Sequence, residues 1–250
     1  MGCLGRTMRL TIFRSGKQRR VWFGMGRGIK LTIDPHAPLH KYIGTIECEL
    51  SPSIKRLTER GTLCFDIGGY DAQFAMTLAR RSGAKVCSFE IAEERAAAMR
   101  DNITLNVLNS QVRVINTNVS DRTAACPRED TVDDMIAQGH VFVPDFVKID
   151  VEGDEMKVLR GATHLLRSRM PHVLVEIHST ELALECLQYL ERIGYKPETI
   201  ARRRWLRENR GTGRNEWLVA RGHDRSRSNT HSPNDGLPTP ATVSSASNRA

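Results

Sequence analysis

The 250-residue chain is predicted to be an α/β protein with one doubly wound sheet and helices on both faces. Two observations carry this expectation. From Thr62 to Ile200, short apolar runs alternate with stretches of helical period, in the order expected of strand–helix–strand units. Chemistry-bearing residues also fall at the ends of those runs: Gly68 and Gly69 after the first, then Glu90, Asp150 and Glu176 at later ones. Right-handed crossovers place the C-terminal ends of parallel strands along one edge, where ligands bind.

The elements follow in order. Residues 1–30 are basic and glycine-spaced without a clean period, so they read as a loose arm or a short hairpin. Short strands are expected near Leu31–Ile33 and Ile43–Cys48. Ser51 to Gly61 reads as a helix, with Ser51 as cap, Pro52 in the first turn and Gly61 as terminator. The alternation then predicts strands at Thr62–Ile67, Lys85–Glu90, Val112–Asn116, Phe146–Val151 and His172–Ile177. Between them it predicts helices at Ala72–Arg81, Glu93–Leu105, Glu155–Ser168 and Glu181–Ile193. A looser stretch, Ser120–His140, holds a short helix at Val132–Ala137. Tyr195–Ile200 and Glu216–Ala220 complete the strands. The expected organisation is a basic N-terminal arm or cap over residues 1–50, a main domain over 51–221 and a tail over 222–250. That tail is rich in Ser, Thr, Pro and Asn and has too few apolar residues to fold.

The net charge of +8 is unevenly placed. Residues 1–33 carry eight Lys or Arg and no acid, and a second basic run spans Arg202 to Arg227. Basic ends attract nucleic acid or an anionic membrane surface; solvated basic tails are the simpler account. Arg14, Lys17, Arg19 and Arg20, with Trp22 and Phe23, make the N-terminal arm the candidate for peripheral membrane contact. No apolar run approaches the roughly 18 to 20 residues that span a bilayer. The start lacks the apolar segment of a secretory signal. Met1-Gly2-Cys3 hints at acylation, but Arg6 stands where that signal has Ser or Thr. The six cysteines (Cys3, Cys48, Cys64, Cys87, Cys126, Cys186) are scattered, with no CxxC pair. Reduced thiols in a cytoplasmic protein without structural zinc are expected.

Three constellations carry chemistry. In the first, a dinucleotide-binding GxGxxG would need glycines where Tyr70 and Gln73 stand, which argues against NAD and FAD. Asp66 closes the preceding strand; its carboxylate suits a cofactor with an ammonium group and would repel a diphosphate. Glu90, at the end of the next strand, is placed to accept from ribose hydroxyls. Together these imply an adenosine-containing cofactor. In the second, Asp150 and Glu152 lie two residues apart on an extended segment, so their side chains share a face. Such a pair holds a substrate hydroxyl, takes its proton or binds a cation. Glu152 to Glu155 also acidify the first turn of the next helix, which by itself favours its dipole. In the third, Glu176 and His178 end the following strand at the same edge. A neutral imidazole there is a sensible base at pH 7; a structural hydrogen bond to a neighbouring loop explains it equally well.

Several segments also occur in a characteristic order: FDIGG, KVCSFE, DNITLNVLNS, NTNVSD, TVDDMI, FVKIDVEGDEMKVLRGA, and PHVLVEIH followed by IGYKP. On these, residues from about Thr62 to Ile200 resemble the FkbM family of class I S-adenosylmethionine-dependent methyltransferases. The resemblance implies a Rossmann-like seven-stranded sheet and S-adenosylmethionine as cofactor. It implies that Asp66 and Gly68 line its methionine end, that Gly69 also belongs to the cofactor site, that Glu90 binds the ribose and that Asn118 lies near the adenine. Asp150 and Glu152 would face the transferring methyl group or the acceptor, with His178 as a further proton acceptor; no metal ligand is assigned. The implied reaction is O-methylation of a sugar, glycolipid or natural-product hydroxyl. Where the family usually continues the loop with Ala-Asn-x-Gly, this chain has Gly69-Tyr70-Asp71-Ala72. The acids around Asp150 and the scarcity of aromatics argue against the rival reading, a nucleic-acid methyltransferase. A non-catalytic module that has lost the cofactor is the other alternative.

Overall fold

The computed structural model describes residues 16–34, 37, 39–45, 48–125, 128–200 and 216–222. Met1-Gly2-Cys3, Arg14, Cys126, most of the second basic run and the tail beyond residue 222 lie outside the described residues. In chain order the elements begin with β1 (Gln18–Arg20), β2 (Lys30–Thr32), α1 (Leu39–Ile43), a 3-10 turn at Cys48–Leu50 and α2 (Ser51–Leu57). Next come β3 (Leu63–Ile67), α3 (Gln73–Ser82), β4 (Lys85–Glu90), α4 (Glu93–Leu105) and β5 (Val112–Asn116). The short strands β6 (Asn118–Val119) and β7 (Glu129–Asp130) follow, then α5 (Val132–Ala137), β8 (Phe146–Ile149), α6 (Glu155–Gly161) and α7 (Thr163–Ser168). The described chain closes with β9 (His172–Ile177), α8 (Thr180–Arg192), β10 (Pro197–Ile200) and β11 (Glu216–Ala220).

Seven strands form one sheet in the order β10-β11-β9-β8-β3-β4-β5. β9, β8, β3, β4 and β5 pair in parallel, and β11 runs antiparallel between β9 and β10. β3 is buried at every position. Successive side chains of a strand point to opposite faces, so each central strand feeds two cores. Phe65 and Ile67 face α5 to α8, where Met135, Val158, Leu166 and Leu190 pack. Cys64, Val86 and Phe146 face the other side, against Ile54, Met76, Met99 and Ile103. Phe65 meets Phe89 edge-on, with ring centroids 5.2 Å apart. Each such fully buried large side chain contributes about 1.5–3 kcal/mol.

The order of strands and helices is the expected one, with local differences. Ile43–Cys48 is not a strand: its ends belong to α1 and to the 3-10 turn. That turn runs directly into α2 with Leu50 in helical conformation, so Ser51 lies inside the helix and does not cap it. α2 stops at Leu57, short of Gly61, because Thr58 turns extended and its hydroxyl donates to the Ile54 carbonyl at 2.7 Å. The single helix expected at Glu155–Ser168 is two. The backbone N–H groups of His164 and Leu165 donate to the Asp133 carboxylate at 2.7 and 2.9 Å, giving α7 an N-terminal cap of its own.

The start of the described chain is tied down as a hairpin. β1 pairs with β2 antiparallel. The Lys30 and Thr32 backbone N–H groups donate to the side-chain oxygens of Asn106 and Asn102, each at 2.9 Å. Asn102 on α4 and Asn106 just past its end thus stand in for a neighbouring strand. No helix among the described residues is long and apolar enough to cross a membrane.

Candidate functional site

The loop from β3 to α3 approaches other backbone so closely that side chains are excluded at its first two positions. Gly68 has φ +87°, and a Cβ there would overlap the Asp150 carbonyl oxygen. A Cβ on Gly69 would run into Ser88 Oγ and Met99 Cε. The Gly68 and Gly69 N–H groups both donate to the Phe89 carbonyl, at 3.0 and 2.9 Å. Tyr70 and Ala72 then take left-handed conformations, φ +54° and +64°, although neither is glycine. Such backbone strain, on the order of 1–3 kcal/mol per residue, persists where surrounding contacts hold it.

Around Tyr70 those contacts come from the N-terminal segment and α4. The Tyr70 hydroxyl donates to Asp34 Oδ2 at 2.7 Å. The Lys41 ammonium and the Arg95 guanidinium lie 4.4 and 4.7 Å from the centre of the same ring. Lys41, itself buried, pairs with Asp71 at 2.7 Å. Burial, with Asp34 beside it, raises the Tyr70 pKa. Neither Asp34 nor Lys41 was a site candidate in the sequence; a Tyr in a loop expected to hold small residues was the available signal.

Above this loop lies a cavity of about 850 Å³ at the C-terminal edge of the parallel strands. One end is walled by Gly68, Gly69, Glu90, Ile91, Asn118 and Val119. Glu90 is buried, and its carboxylate accepts from the Tyr70 N–H at 3.1 Å and the Ala92 N–H at 3.0 Å. A carboxylate has about four acceptor positions, so two remain for a ligand. Asn118 donates to Glu129 at 3.2 Å, which fixes its amide. The opposite wall comes from the N-terminal segment and α3, including Met25, Lys41, Ile54 and Phe74.

Asp66 is placed differently from the expectation. Strand alternation turns its side chain beneath the loop, where it is fully buried and forms no part of the cavity wall. Ser88 donates to its Oδ2 at 2.9 Å, and Lys148 Nζ stands 3.7 Å from its Oδ1. Burial pushes its pKa up, while Lys148 and Ser88 pull it down. Its position supports the loop from below and gives no direct contact with a ligand in the cavity.

The far end carries the carboxylates and the imidazole. Lys148, Asp150, Glu152 and His178 all line it. Asp150 accepts from Lys148 Nζ at 2.9 Å and has the buried Glu176 carboxyl beside it. Burial works against its charge, but Lys148 and these partners outweigh it and hold its pKa below the usual value. Glu152 has φ +55° and projects its side chain to solvent at the mouth. His178 Nδ1 lies 2.8 Å from the wholly buried Glu155 carboxylate. Its Nε2 faces Glu152 Oε2 at 3.4 Å and Asp150 Oδ1 at 3.8 Å. The Glu155 hydrogen bond outweighs burial and pushes the His178 pKa up to about 9. This favours the imidazolium of His178 at pH 7 over the neutral base expected from sequence. Glu155 itself passed as a helix-dipole residue; only the fold brings it against His178.

The strand order, the glycine loop after β3 and the acid closing β4 are those of the class I methyltransferase fold. Residues 126–197 match the methyltransferase FkbM domain model. Hexuronic acid methyltransferase AglP of Haloferax volcanii is 47% identical over 47 residues, 19% of this chain and 19% of that protein. The matched stretch is thus about a fifth of the curated relative's length. Among solved structures, a methyltransferase FkbM from Methylobacillus flagellatus superposes with a TM-score of 0.53 at 17% identity, covering 64% of this chain and 43% of that one. A SAM-dependent O-methyltransferase from Thermotoga maritima gives 0.52 at 17% identity, over 72% and 66% of the two chains. The Pyrococcus abyssi tRNA (uracil-54, C5)-methyltransferase, in complex with S-adenosyl-L-homocysteine, gives 0.52 at 17% identity, over 83% and 44%. At these identities the structural likenesses show the fold.

Proposed function

We propose that the chain is an S-adenosylmethionine-dependent O-methyltransferase acting on a hydroxyl of a sugar, glycolipid or natural-product acceptor. The observation that carries this reading is one cavity that joins the Glu90 end to the Asp150–Glu152–His178 end, at the strand edge of a methyltransferase fold. Glu90, with two acceptor positions open, suits a ribose diol, and Ile91, Asn118 and Val119 suit an adenine. The likeness to a hexuronic acid methyltransferase favours a sugar acceptor. When bound, S-adenosylmethionine supplies an electrophilic methyl group on a sulfonium, leaving as the neutral thioether once an acceptor oxygen takes the methyl. The protein's part is positioning: it holds that oxygen in line with the methyl group and gives its proton a place to go. Asp150, fixed by Lys148, orients the acceptor hydroxyl, and the Glu152 carboxylate at the mouth passes the proton to solvent.

Labelled methyl donor and a panel of hydroxylated sugars, uronic acids and glycolipids test the reading. It expects label in an ether of one acceptor, with one S-adenosylhomocysteine per methyl. Tight cofactor binding with label only on nitrogen or carbon would overturn the oxygen assignment.

The same reading places the enzyme at a membrane surface when its acceptor is a glycolipid. Trp22 and Phe23 are 54% and 61% exposed, beside Arg20 and close in sequence to Met25 and Gly26 of the cavity wall. Exposed aromatics flanked by cations suit an anionic interface. Sedimentation with anionic vesicles should fall severalfold in the Trp22→Ala/Phe23→Ala double variant; equal sedimentation would remove this part of the proposal.

A further inference from the structure

We propose that Asp150, Glu176 and His178 form a divalent-cation site at the acceptor end of the cavity. One ligand atom from each of the three lies within 4.8 Å of the other two. Around one cation, with each donor about 2.0–2.2 Å from it, only one pair of the three can be opposite; the others close to roughly 3–3.5 Å, so the side chains must draw in by about an ångström.

Three features point to a cation here. First, the buried Glu176 and the cavity-lining Asp150 each bring a carboxylate oxygen to the point that His178 reaches. Second, His178 presents Nε2 to the same point. That atom is out of contact with solvent and makes no hydrogen bond. Third, Glu155 holds Nδ1 at 2.8 Å from the other side. A carboxylate behind the imidazole is the usual outer support of a metal-binding histidine. Lys148 bonds Asp150 through Oδ2, whereas the oxygen nearest His178 is Oδ1.

Two carboxylates and one imidazole form a mixed oxygen–nitrogen set, which suits Mn²⁺ or a similar first-row ion. Three protein donors leave coordination positions open toward the cavity. An acceptor with two adjacent oxygens, as in a sugar diol or a 2-hydroxy acid, would fill two of them. The cation would lower the pKa of the hydroxyl it binds, so that the proton leaves without His178 acting as base. The site itself does not rest on the methyl-transfer reading, since it is detected by metal alone.

The test is titration of the full chain with MnCl₂ at pH 8, followed by the electron paramagnetic resonance of free Mn²⁺. One ion per chain is expected, bound at least tenfold more weakly by Glu176→Gln and by His178→Gln. Glu176→Gln keeps size and shape, and thermal melting verifies that each variant is folded. S-adenosylhomocysteine binding, measured with and without chelator, reports the cofactor end separately. No uptake by the folded wild type at about millimolar Mn²⁺, or uptake that both folded variants retain in full, would overturn the proposal.

Discussion

At the scale of single residues, the state of His178 follows from Glu155. A carboxylate with no exposure, 2.8 Å from Nδ1, stabilises the imidazolium and raises the His178 pKa from 6.5 to about 9. The folded form thus binds this proton more tightly than the unfolded one. The resulting stability is fully present below pH 6.5 and is lost as pH rises through about 9. Melting temperature measured from pH 6 to 9.5 should therefore fall in the wild type and fall less in His178→Gln; parallel curves would contradict the pairing. Asp150 and His178 were legible at one edge because each directly follows a strand, with Glu152 two residues beyond Asp150. Glu155 was not, because 23 residues separate it from His178 and its helix-terminal position already had an explanation. For Asp66 the strand-end position was legible and the orientation was not: one step of the strand's two-residue period decides between cavity and underside.

At the scale of elements, the β3–α3 loop sets two glycines before two non-glycine residues in left-handed conformation, and distant contacts hold it. Its two glycines are fixed by overlap with Asp150, Ser88 and Met99. Gly68→Ala should cost roughly 2–5 kcal/mol, since strain at positive φ adds to a backbone clash; chemical denaturation measures it, and a loss below about 0.5 kcal/mol would refute the close approach. Tyr70 and Ala72 were visible as departures, but their left-handed backbone was not, because what holds it lies more than twenty residues away. The break between α6 and α7 was hidden for a similar reason. Nothing between residues 155 and 168 stops a helix; Asp133 supplies the second start. Asp133→Ala should cost about 1–2 kcal/mol by leaving two backbone donors unmet. An unchanged denaturation midpoint would show that α7 needs no such cap.

At the scale of the whole molecule, the sheet and its helices position one edge, and the N-terminal segment turns that edge into a cavity. The sheet was legible because apolar alternation is strong and local. The closing wall was not, since it depends on Tyr70 meeting Asp34 and on Asn102 and Asn106 holding β2. Tyr70→Phe removes one hydrogen bond of this wall, worth about 1 kcal/mol. Faster amide exchange is expected around residues 39–43, and unchanged exchange would show that the wall stands without it. The central claim, that the Glu90 end of the cavity holds an adenosine cofactor, is tested most directly by calorimetric titration with S-adenosylhomocysteine. Wild type, Glu90→Ala and Glu90→Gln are compared; Gln keeps an acceptor for the Tyr70 and Ala92 N–H groups. The account predicts micromolar binding by wild type, weakened at least about tenfold in both folded variants as charge-assisted ribose hydrogen bonds are lost. No binding by folded wild type, or equal binding by all three, would contradict it.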